Sequence, residues 1–313
     1  MFISISCGKE SKDADVVFID SKVDYRINDI YFIDENIGFA IGGDRFTDGY
    51  ILKTNDGGEI WNKIEDAQID ASSPLQTLNG IDFLNDSIGE IVGHGGKIVR
   101  TSDGGKTWEA ILNGTWENFY DVALLSEDKS VIIAGAAYNK GKIFNSKDFW
   151  YSFEVSETPY ALRSLVFLDE LLGYSVGYGY INKTVDGGKT WTLLDFTGDY
   201  FFDLDFVNKD IGYVCGWEGG IFKTIDGGES WETIHGVNQA FSKRHHFENI
   251  DFFDENIGIV CGYNGEVLYT ENGGEKWFSI ETNTDTDFHS VYLLNKNTAF
   301  AGGEEGFFLK LNL

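Results

Sequence analysis

The sequence predicts an all-β fold, a single seven-bladed β-propeller with four strands in each blade. One unit of about 40 residues recurs along the chain, and a repeat of this length with four strands is typical of propeller blades. Glycine is frequent, with 38 residues, and proline is rare, with 2, in a chain of 313 residues. That balance favours paired strands joined by tight turns over helices.

An eight-residue string, represented by TSDGGKTW at 101–108, aligns the repeats. Related strings stand at 54–61, 184–191, 224–231 and 270–277. The complete units span 27–64, 78–111, 162–194, 201–234 and 247–280. A degenerate unit fills 119–155, and a seventh unit at 288–313 stops before any string. Seven units predict seven blades.

Each unit reads as four short strands separated by turns of Asn, Asp and Gly. The first strand alternates in polarity, the second follows a Gly, the third runs to the Thr of the string, and the fourth starts at its Trp. The seventh unit lacks an outer strand, and the segment VVFID at 16–20 can supply it. This pairing would join the chain ends and close the ring. We therefore expect a propeller over 15–313 and an N-terminal tail over 1–14.

The recurring string is expected to be a folding device placed between the third and fourth strands. Its Asp can accept hydrogen bonds from turn N–H groups, its Gly residues allow positive φ, and its Trp packs between sheets. In the degenerate unit Trp150 replaces a Gly and Phe153 replaces the Trp. The predicted structural residues are Asp56, Trp61, Asp103, Trp108, Asp148, Phe153, Asp186, Trp191, Asp226, Trp231, Asn272 and Trp277.

The string resembles the Asp-box, or BNR repeat, of sialidase-type propellers. The whole unit, F-x-D…G-x-x-x-G…T-x-DGG-x-x-W, is similar to the family of photosystem II stability and assembly factor-like propellers. That resemblance covers nearly the whole chain. It implies a seven-bladed fold and a role in binding assembly partners without catalysis.

Two enzyme families share the Asp-box, and their catalytic sets are not evident in this sequence. Sialidases need three converging Arg, and the Arg-Ile-Pro string that opens them is absent, because the only prolines are Pro74 and Pro159. Xyloglucan-type glycosidases use two propellers, and this chain is long enough for one. We therefore predict a non-catalytic binding scaffold, with a glycan-binding protein or a sialidase-like glycoside hydrolase as the alternative.

The composition narrows the class of partner. The formal net charge is −27, so the surface should repel nucleic acid and anionic lipid. A protein partner is expected first and a glycan second. Of the three cysteines, Cys215 and Cys261 are expected to be small buried residues.

The first residues, MFISISCGKESKDAD, resemble the cleavage site of a bacterial lipoprotein, with Cys7 as the lipidated thiol. The alternative is a frayed N-terminus. Lipidation would place the protein in the periplasm or at the surface of a bacterial envelope, and Cys7 is the only expected membrane anchor.

A binding face is predicted on the side of the ring opposite to the Asp-boxes, because loops on a rigid scaffold commonly carry function. Its aromatic residues could anchor a partner or merely cover a hydrophobic rim between blades. The basic run SKRHH at 242–246 could likewise be a solvated loop. The predicted face comprises Arg45, His94, Trp116, Tyr138, Tyr178, Tyr180, Trp217, Glu218, Tyr263, Arg244, His245 and His246.

An acidic ring is predicted around the central channel, because one side of the alternating first strands carries carboxylates. Such a ring could attract a calcium- or magnesium-type cation, or each Asp could bond to backbone or water. No other cofactor and no other metal site is expected. The ring comprises Asp29, Asp82, Asp121, Asp203, Asp205 and Asp251.

Overall fold

The computed structural model describes residues 10–43, 49–64, 76–135, 140–198, 200–236 and 246–313. It confirms the predicted architecture: seven antiparallel sheets form a ring, and an N-terminal strand completes the last blade. None of the described residues forms a helix with the length and apolar character needed to cross a membrane.

The strands follow the seven sequence units. Two short strands, β1 (Ser11–Lys12) and β2 (Asp15–Ile19), precede the first blade. Blades 1 and 2 contain β3 (Ile27–Phe32), β4 (Gly38–Gly42), β5 (Tyr50–Thr54) and β6 (Asn62–Lys63), then β7 (Leu78–Phe83), β8 (Gly89–Gly93), β9 (Lys97–Thr101) and β10 (Glu109–Ala110). Blades 3 and 4 contain β11 (Phe119–Leu124), β12 (Ser130–Gly135), β13 (Gly141–Ser146) and β14 (Phe153–Thr158), then β15 (Leu162–Phe167), β16 (Gly173–Gly177), β17 (Tyr180–Thr184) and β18 (Thr192–Thr197).

The remaining blades complete the ring. Blades 5 and 6 contain β19 (Phe201–Phe206), β20 (Gly212–Gly216), β21 (Ile221–Thr224) and β22 (Glu232–His235), then β23 (Phe247–Phe252), β24 (Gly258–Gly262), β25 (Val267–Thr270) and β26 (Phe278–Ile280). Blade 7 contains β27 (Phe288–Asn295), β28 (Thr298–Gly303) and β29 (Phe308–Asn312). Single 3-10 turns lie at His94–Gly96 and Glu304–Gly306.

The N-terminal segment holds the ring closed at two blades. Strand β2 pairs antiparallel with β29, with Val17 opposite Lys310. Strand β1, within the segment expected to be a tail, pairs parallel with β26 and gives blade 6 a fifth strand. The ion pairs Lys12–Glu271 and Lys276–Glu10 reinforce this contact. The N-terminal segment therefore supplies the outermost strands of two neighbouring blades, and β2 covers the C-terminal strand β29.

The core lies between the sheets. The second strand of blades 1 to 6 is buried along its whole length, and that of blade 7 is buried except at Thr298, since both faces of an inner strand are covered by neighbouring blades. Cys215 and Cys261 lie in two of these strands as buried thiols. Apolar residues are therefore favoured along these strands. The buried polar exceptions are Ser130 in blade 3 and Ser175 in blade 4, and the charged exception is Glu90 in blade 2.

The Asp-boxes join the third and fourth strands through a repeated hydrogen-bond pattern. In blade 2, Asp103 accepts the N–H groups of Lys106 and Thr107 at 3.0 and 2.9 Å, and Gly105 N–H donates to the Thr101 hydroxyl at 2.9 Å. In blade 5, hydrogen bonds from Ser230 help to hold the pKa of Asp226 at about 2. The Asp therefore stays ionised and satisfies the turn's donors.

Side chains of the preceding blade also contact the glycine pair of each regular box. Lys53 of blade 1 donates to the Gly104 carbonyl of blade 2 at 2.9 Å, and the Phe39 ring covers Gly105. A Cβ on Gly105 would lie 2.3 Å from the Phe39 ring, so a side chain cannot be added there without displacing the ring. At four of the five regular boxes an aromatic residue and a Lys on one blade contact the glycine pair on the next, whereas the box of blade 4 receives Val131 and Asn145.

The degenerate box of blade 3 uses different residues at this interface. Trp150 is buried at the second glycine position with φ of 65°, whereas Phe153, at the usual Trp position, is only partly buried. On blade 2, buried Glu90 replaces the aromatic residue. It pairs with Arg100 at 2.8 Å and accepts from the Trp150 indole N–H at 3.3 Å. At this interface blade 3 carries the large Trp150 where a regular box has glycine. Blade 2 carries the smaller Glu90 where a regular blade has an aromatic ring.

Candidate functional site

A cavity of about 1880 Å³ occupies the centre of the ring. The turns between second and third strands, the connections between blades and the upper parts of the first strands line it. No Asp-box residue contributes to its wall, so it opens on the face opposite to the boxes. Large concave sites with mixed aromatic and polar linings are typical ligand sites.

A turn ring surrounds the cavity mouth. Its members follow the glycine that ends each second strand, and their N–H groups bond to the connection that enters the same blade: Trp217 donates to Tyr200 O at 2.9 Å, for example. The preceding glycine is required by this close approach, since a Cβ on Gly177 would lie 1.9 Å from the Ala161 oxygen. The turn ring comprises Gly43, His94, Tyr178, Trp217, Tyr263 and Glu304; the blade 3 equivalent lies outside the described residues.

A second ring lies directly below the first, and a β-bulge creates it. The first strand of every blade shifts register at its second residue, which leaves that residue without a partner on the second strand. Bulges re-aim side chains and are frequent beside functional sites. All seven bulged residues line the cavity, and we call them the bulge ring: Asn28, Asn79, Tyr120, Arg163, Phe202, Glu248 and His289.

Aromatic side chains form a continuous series of ring contacts from blade 3 to blade 6. Tyr160 and Tyr180 stack with centroids 4.2 Å apart, and Tyr178 meets Tyr200 edge-on at 5.0 Å. Such pairs hold one another rigidly and present large surface at low entropic cost. This aromatic arc comprises Tyr160, Tyr178, Tyr180, Tyr200, Phe202, Trp217 and Tyr263.

Arg163 is embedded in this arc. Its guanidinium lies over the rings of Tyr120, Tyr200 and Phe202, at 5.1, 5.7 and 5.4 Å from their centroids. Its Nε donates to the Tyr200 hydroxyl at 3.0 Å. The charge of Arg163 is therefore directed at aromatic faces of the protein itself.

Carboxylates dominate the opposite part of the mouth, on blades 6, 7 and 1. His289 Nε2 donates to the Glu304 carboxylate at 2.8 Å, and its Nδ1 lies 3.7 Å from Glu248. Burial lowers the pKa of His289, but the neighbouring carboxylates of Glu248 and Glu304 outweigh it and raise the pKa above its usual value. We call the carboxylates that line this sector the acidic crescent: Asp24, Glu248, Glu304 and Glu305.

Below both rings, carboxylates of the first strands link neighbouring blades around the channel. Asp29 accepts the N–H of Ile81 in the next blade at 3.0 Å, and Asp82 accepts that of Leu124 at 2.7 Å. Asp121 does the same for Leu165 at 2.9 Å. Each first strand is a sheet edge with unpaired donors, which these carboxylates satisfy. The remaining links of this kind come from Asp203, Asp205 and Asp251.

The channel carboxylates have raised pKa values. Burial raises the pKa of Asp82 to about 6 and that of Asp121 to about 7. Burial, reinforced by Asp121, raises the pKa of Asp29 well above its usual range. No group of three or more His, Cys, Asp or Glu in the described part of the chain is arranged to hold a metal ion. A calcium- or magnesium-type cation in the channel stays a prediction, which calcium titration by calorimetry tests.

The structure brings together much of the predicted face. His94, Trp116, Tyr178, Tyr180, Trp217 and Tyr263 line the cavity. His246 lies against Trp217 with ring centroids 3.9 Å apart, and Glu218 is exposed beside it, outside the lining. Arg45, Tyr138, Arg244, His245 and Cys7 lie outside the described residues.

Sequence reasoning missed the bulge ring. Its members differ from blade to blade, whereas the residues before them are apolar throughout, namely Ile, Leu or Phe. The available sequence signal was a position whose residue type varies from blade to blade directly after an apolar residue. Nothing in the local sequence marks the extra residue as a bulge, because alternation resumes at once after it.

Comparisons with known proteins bear on the family and the fold. The family profile of the photosynthesis system II assembly factor YCF48 matches residues 10–149 and 194–285, which is more than half of the chain. A search of curated proteins gives no match.

Solved structures show the same ring. "YCF48 bound to D1 peptide" is 18% identical with a TM-score of 0.76, covering 98% of this chain and 100% of that one. YCF48 from Cyanidioschyzon merolae is 16% identical with a TM-score of 0.74, covering 95% and 98%. The GH74 xyloglucanase from Xanthomonas campestris is 11% identical with a TM-score of 0.74, covering 96% of this chain and 54% of the enzyme.

Proposed function

Because the chain belongs to the family of the photosynthesis system II assembly factor YCF48, we propose that it is a non-catalytic assembly scaffold that binds a segment of a protein partner in its central cavity. The observation that carries this proposal is the aromatic arc. It lines a cavity of about 1880 Å³ with rings that are fixed by one another before a ligand arrives. A preformed aromatic wall lowers the entropic cost of binding.

The size and position of the cavity fit an extended peptide segment. Its mouth spans residues of all seven blades, which is wider than a site for one small molecule needs. Trp116 stands at this mouth with 82% of its surface exposed, and Tyr178 with 45%. Exposed Trp and Tyr beside a concavity are the residues that most often anchor protein partners. A structural neighbour, YCF48, has been solved with a peptide bound, which is consistent with this proposal.

Affinity purification from cells of the native host tests the proposal. Trp217→Ala and Tyr263→Ala each remove one ring of the arc, and we expect each to reduce the co-purifying partner at least tenfold. Ile225→Ala is the matched control, because Ile225 is 71% exposed in an Asp-box on the other face. Circular dichroism would verify that all three variants fold. Full retention of every co-purifying protein by both cavity variants would contradict the proposal.

A glycan ligand is the alternative, because flat rings such as the stacked Tyr160–Tyr180 pair can also bind sugars. The similarity to the xyloglucanase supports only a shared fold. A glycan array and hydrolysis assays with sialosides and xyloglucan would distinguish the alternatives. Specific glycan binding that Tyr160→Ala abolishes would favour the second candidate.

We further propose a location in the bacterial cell envelope, with Cys7 as the lipid anchor. The sequence around Cys7 supports this, and the acidic surface makes unassisted binding to anionic lipid unfavourable. Metabolic labelling with palmitate is expected to mark the wild-type protein and to spare Cys7→Ser. Equal membrane association of both proteins would contradict the anchor.

A further inference from the structure

We propose that the cavity recognises a Lys or Arg side chain of the partner segment, held between the acidic crescent and the rings of Trp217 and Tyr263. This inference rests on the proposed function and names the chemistry of the partner. It assigns the bulge ring the role of setting which side chains the cavity prefers.

The charge balance of the cavity supports a cationic occupant. Among the described residues, nine carboxyl groups line the wall, and burial raises the pKa of the five that belong to the channel. The excess of acid therefore comes from the four carboxylates of the acidic crescent, which face two guanidinium groups, Arg26 and Arg163, and two imidazoles, His94 and His289, among the described residues. No Lys is found among the described residues that line the cavity. A concave site with low-dielectric walls focuses its field, so this excess of acid attracts positive charge.

The two guanidinium groups do not offer an equivalent anion site. Arg163 is directed at three aromatic rings and one Tyr hydroxyl, as described above. The Nε of Arg26 donates to Asn28, and its charge acts on the neighbouring Glu304 and His289. Both guanidinium groups therefore already contact side chains of the cavity wall. Among the described lining residues of blades 6 and 7, carboxylates outnumber basic groups.

The best-formed cation subsite lies where the acidic crescent meets the aromatic arc. Glu248 belongs to both the bulge ring and the crescent, and its side chain is only 13% exposed. His289 connects this carboxylate to Tyr263, because its Nδ1 lies 3.7 Å from Glu248 and its ring meets the Tyr263 ring edge-on at 6.3 Å. The Trp217 ring meets Tyr263 edge-on at 6.0 Å. A carboxylate near aromatic rings can bind Lys or Arg through both charge and cation–π attraction.

The bulge ring explains how one scaffold could be tuned for a particular segment. Its seven positions carry amide, phenol, guanidinium, phenyl, carboxyl and imidazole groups, while the strands that hold them repeat. A change at one bulge alters the cavity wall without altering a blade core. Specificity can therefore change independently of the fold.

Calorimetric titration of the full chain with synthetic peptides tests the inference. Three capped ten-residue peptides share a Gly-Ser-Tyr background and carry Lys, Gln or Glu at the same three positions. At physiological salt we expect the Lys peptide to bind at least tenfold more tightly than the Gln peptide and the Glu peptide to bind most weakly. Glu248→Gln should weaken the Lys peptide five- to tenfold. Glu232→Gln, on the exposed outer strand of blade 5, should leave it unchanged.

The other outcomes overturn the inference in distinguishable ways. Preference for the Gln or Glu peptide refutes a cationic occupant but leaves a peptide-binding scaffold intact. Equal weakening by Glu248→Gln and Glu232→Gln shows attraction to the whole acidic surface and refutes the subsite. Absence of binding by all three peptides also overturns it, and the affinity purification with Trp217→Ala and Tyr263→Ala then decides the proposed function separately. Glu248→Lys supplies a further check, since it should move preference towards the Glu peptide.

Discussion

The unusual interface between blades 2 and 3 allows a specific prediction of how substitutions there change the free energy of unfolding. Glu90, Arg100 and Trp150 stand where a regular interface has an aromatic residue, a Lys and a glycine. If these three residues are mutually compensating, then single replacements by the regular residues should destabilise the protein. The three replacements together should not.

The expected magnitudes follow from burial. Glu90→Phe leaves Arg100 without its buried partner, which costs about 3–5 kcal/mol. It also forces a ring against Trp150, for about 1–3 kcal/mol more. Trp150→Gly removes a buried indole, at about 3–5 kcal/mol, and recovers roughly 1–2 kcal/mol because glycine adopts positive φ without strain.

The combined variant Glu90→Phe, Arg100→Lys, Trp150→Gly should recover most of this loss. Its introduced ring would cover a glycine as Phe39 covers Gly105, and its introduced Lys would reach a box carbonyl as Lys53 does. We expect an unfolding free energy within about 2 kcal/mol of the wild type, and hence a large favourable coupling. Urea unfolding followed by circular dichroism measures it. A combined variant less stable than either single variant would refute the compensation.

Three further predictions concern the ring, the channel and the mouth. Removal of residues 1–20 deletes β2 and exposes the edge of β29, so the melting temperature should fall far more than on removal of residues 1–12; equal effects would refute closure by β2. Burial raises the pKa of Asp82 to about 6 and of Asp121 to about 7. The folded state therefore keeps protons that the unfolded chain releases near pH 4. Because of this difference, the free energy of unfolding should fall as pH rises from about 4 to 7. Asp82→Asn and Asp121→Asn should each flatten that slope in thermal unfolding scans, and an unchanged slope would contradict the assignment. Trp116→Ala should leave the unfolding free energy within about 0.5 kcal/mol of the wild type while reducing partner retention, because the ring is exposed; a large loss of stability would show a packing role instead.

The fold was predictable because one recurring string aligns the repeats with one another. The Asp-box marks the same turn in five units, so strand positions could be read even where polarity patterns are weak. The missing outer strand of the seventh unit pointed to residues 16–20, and β2 pairs there with β29. The second contact, of Ser11 with Ser279, carried no sequence signal, because two residues are too few to show a strand pattern.

The candidate site was predictable only in part. Tyr178, Trp217 and Tyr263 were found because they follow a recurring glycine, and the structure places them around one cavity. Arg163 and Glu248 were missed, because a β-bulge turns them inward and period-two alternation cannot register one extra residue. The channel carboxylates stand out in the sequence as the polar side of the first strands, whereas their bonds to the next blade depend on neighbours about 40 to 50 residues away.

Site-specific photo-crosslinking in the native host tests most directly whether the cavity is the binding face. A photoreactive phenylalanine analogue at the position of Tyr178 reports on the cavity mouth, and one at the position of Ile225 reports on the Asp-box face. We predict covalent capture of a discrete partner segment from the first position, identified by mass spectrometry, and none from the second. Capture of a partner from the Asp-box position alone would contradict the account.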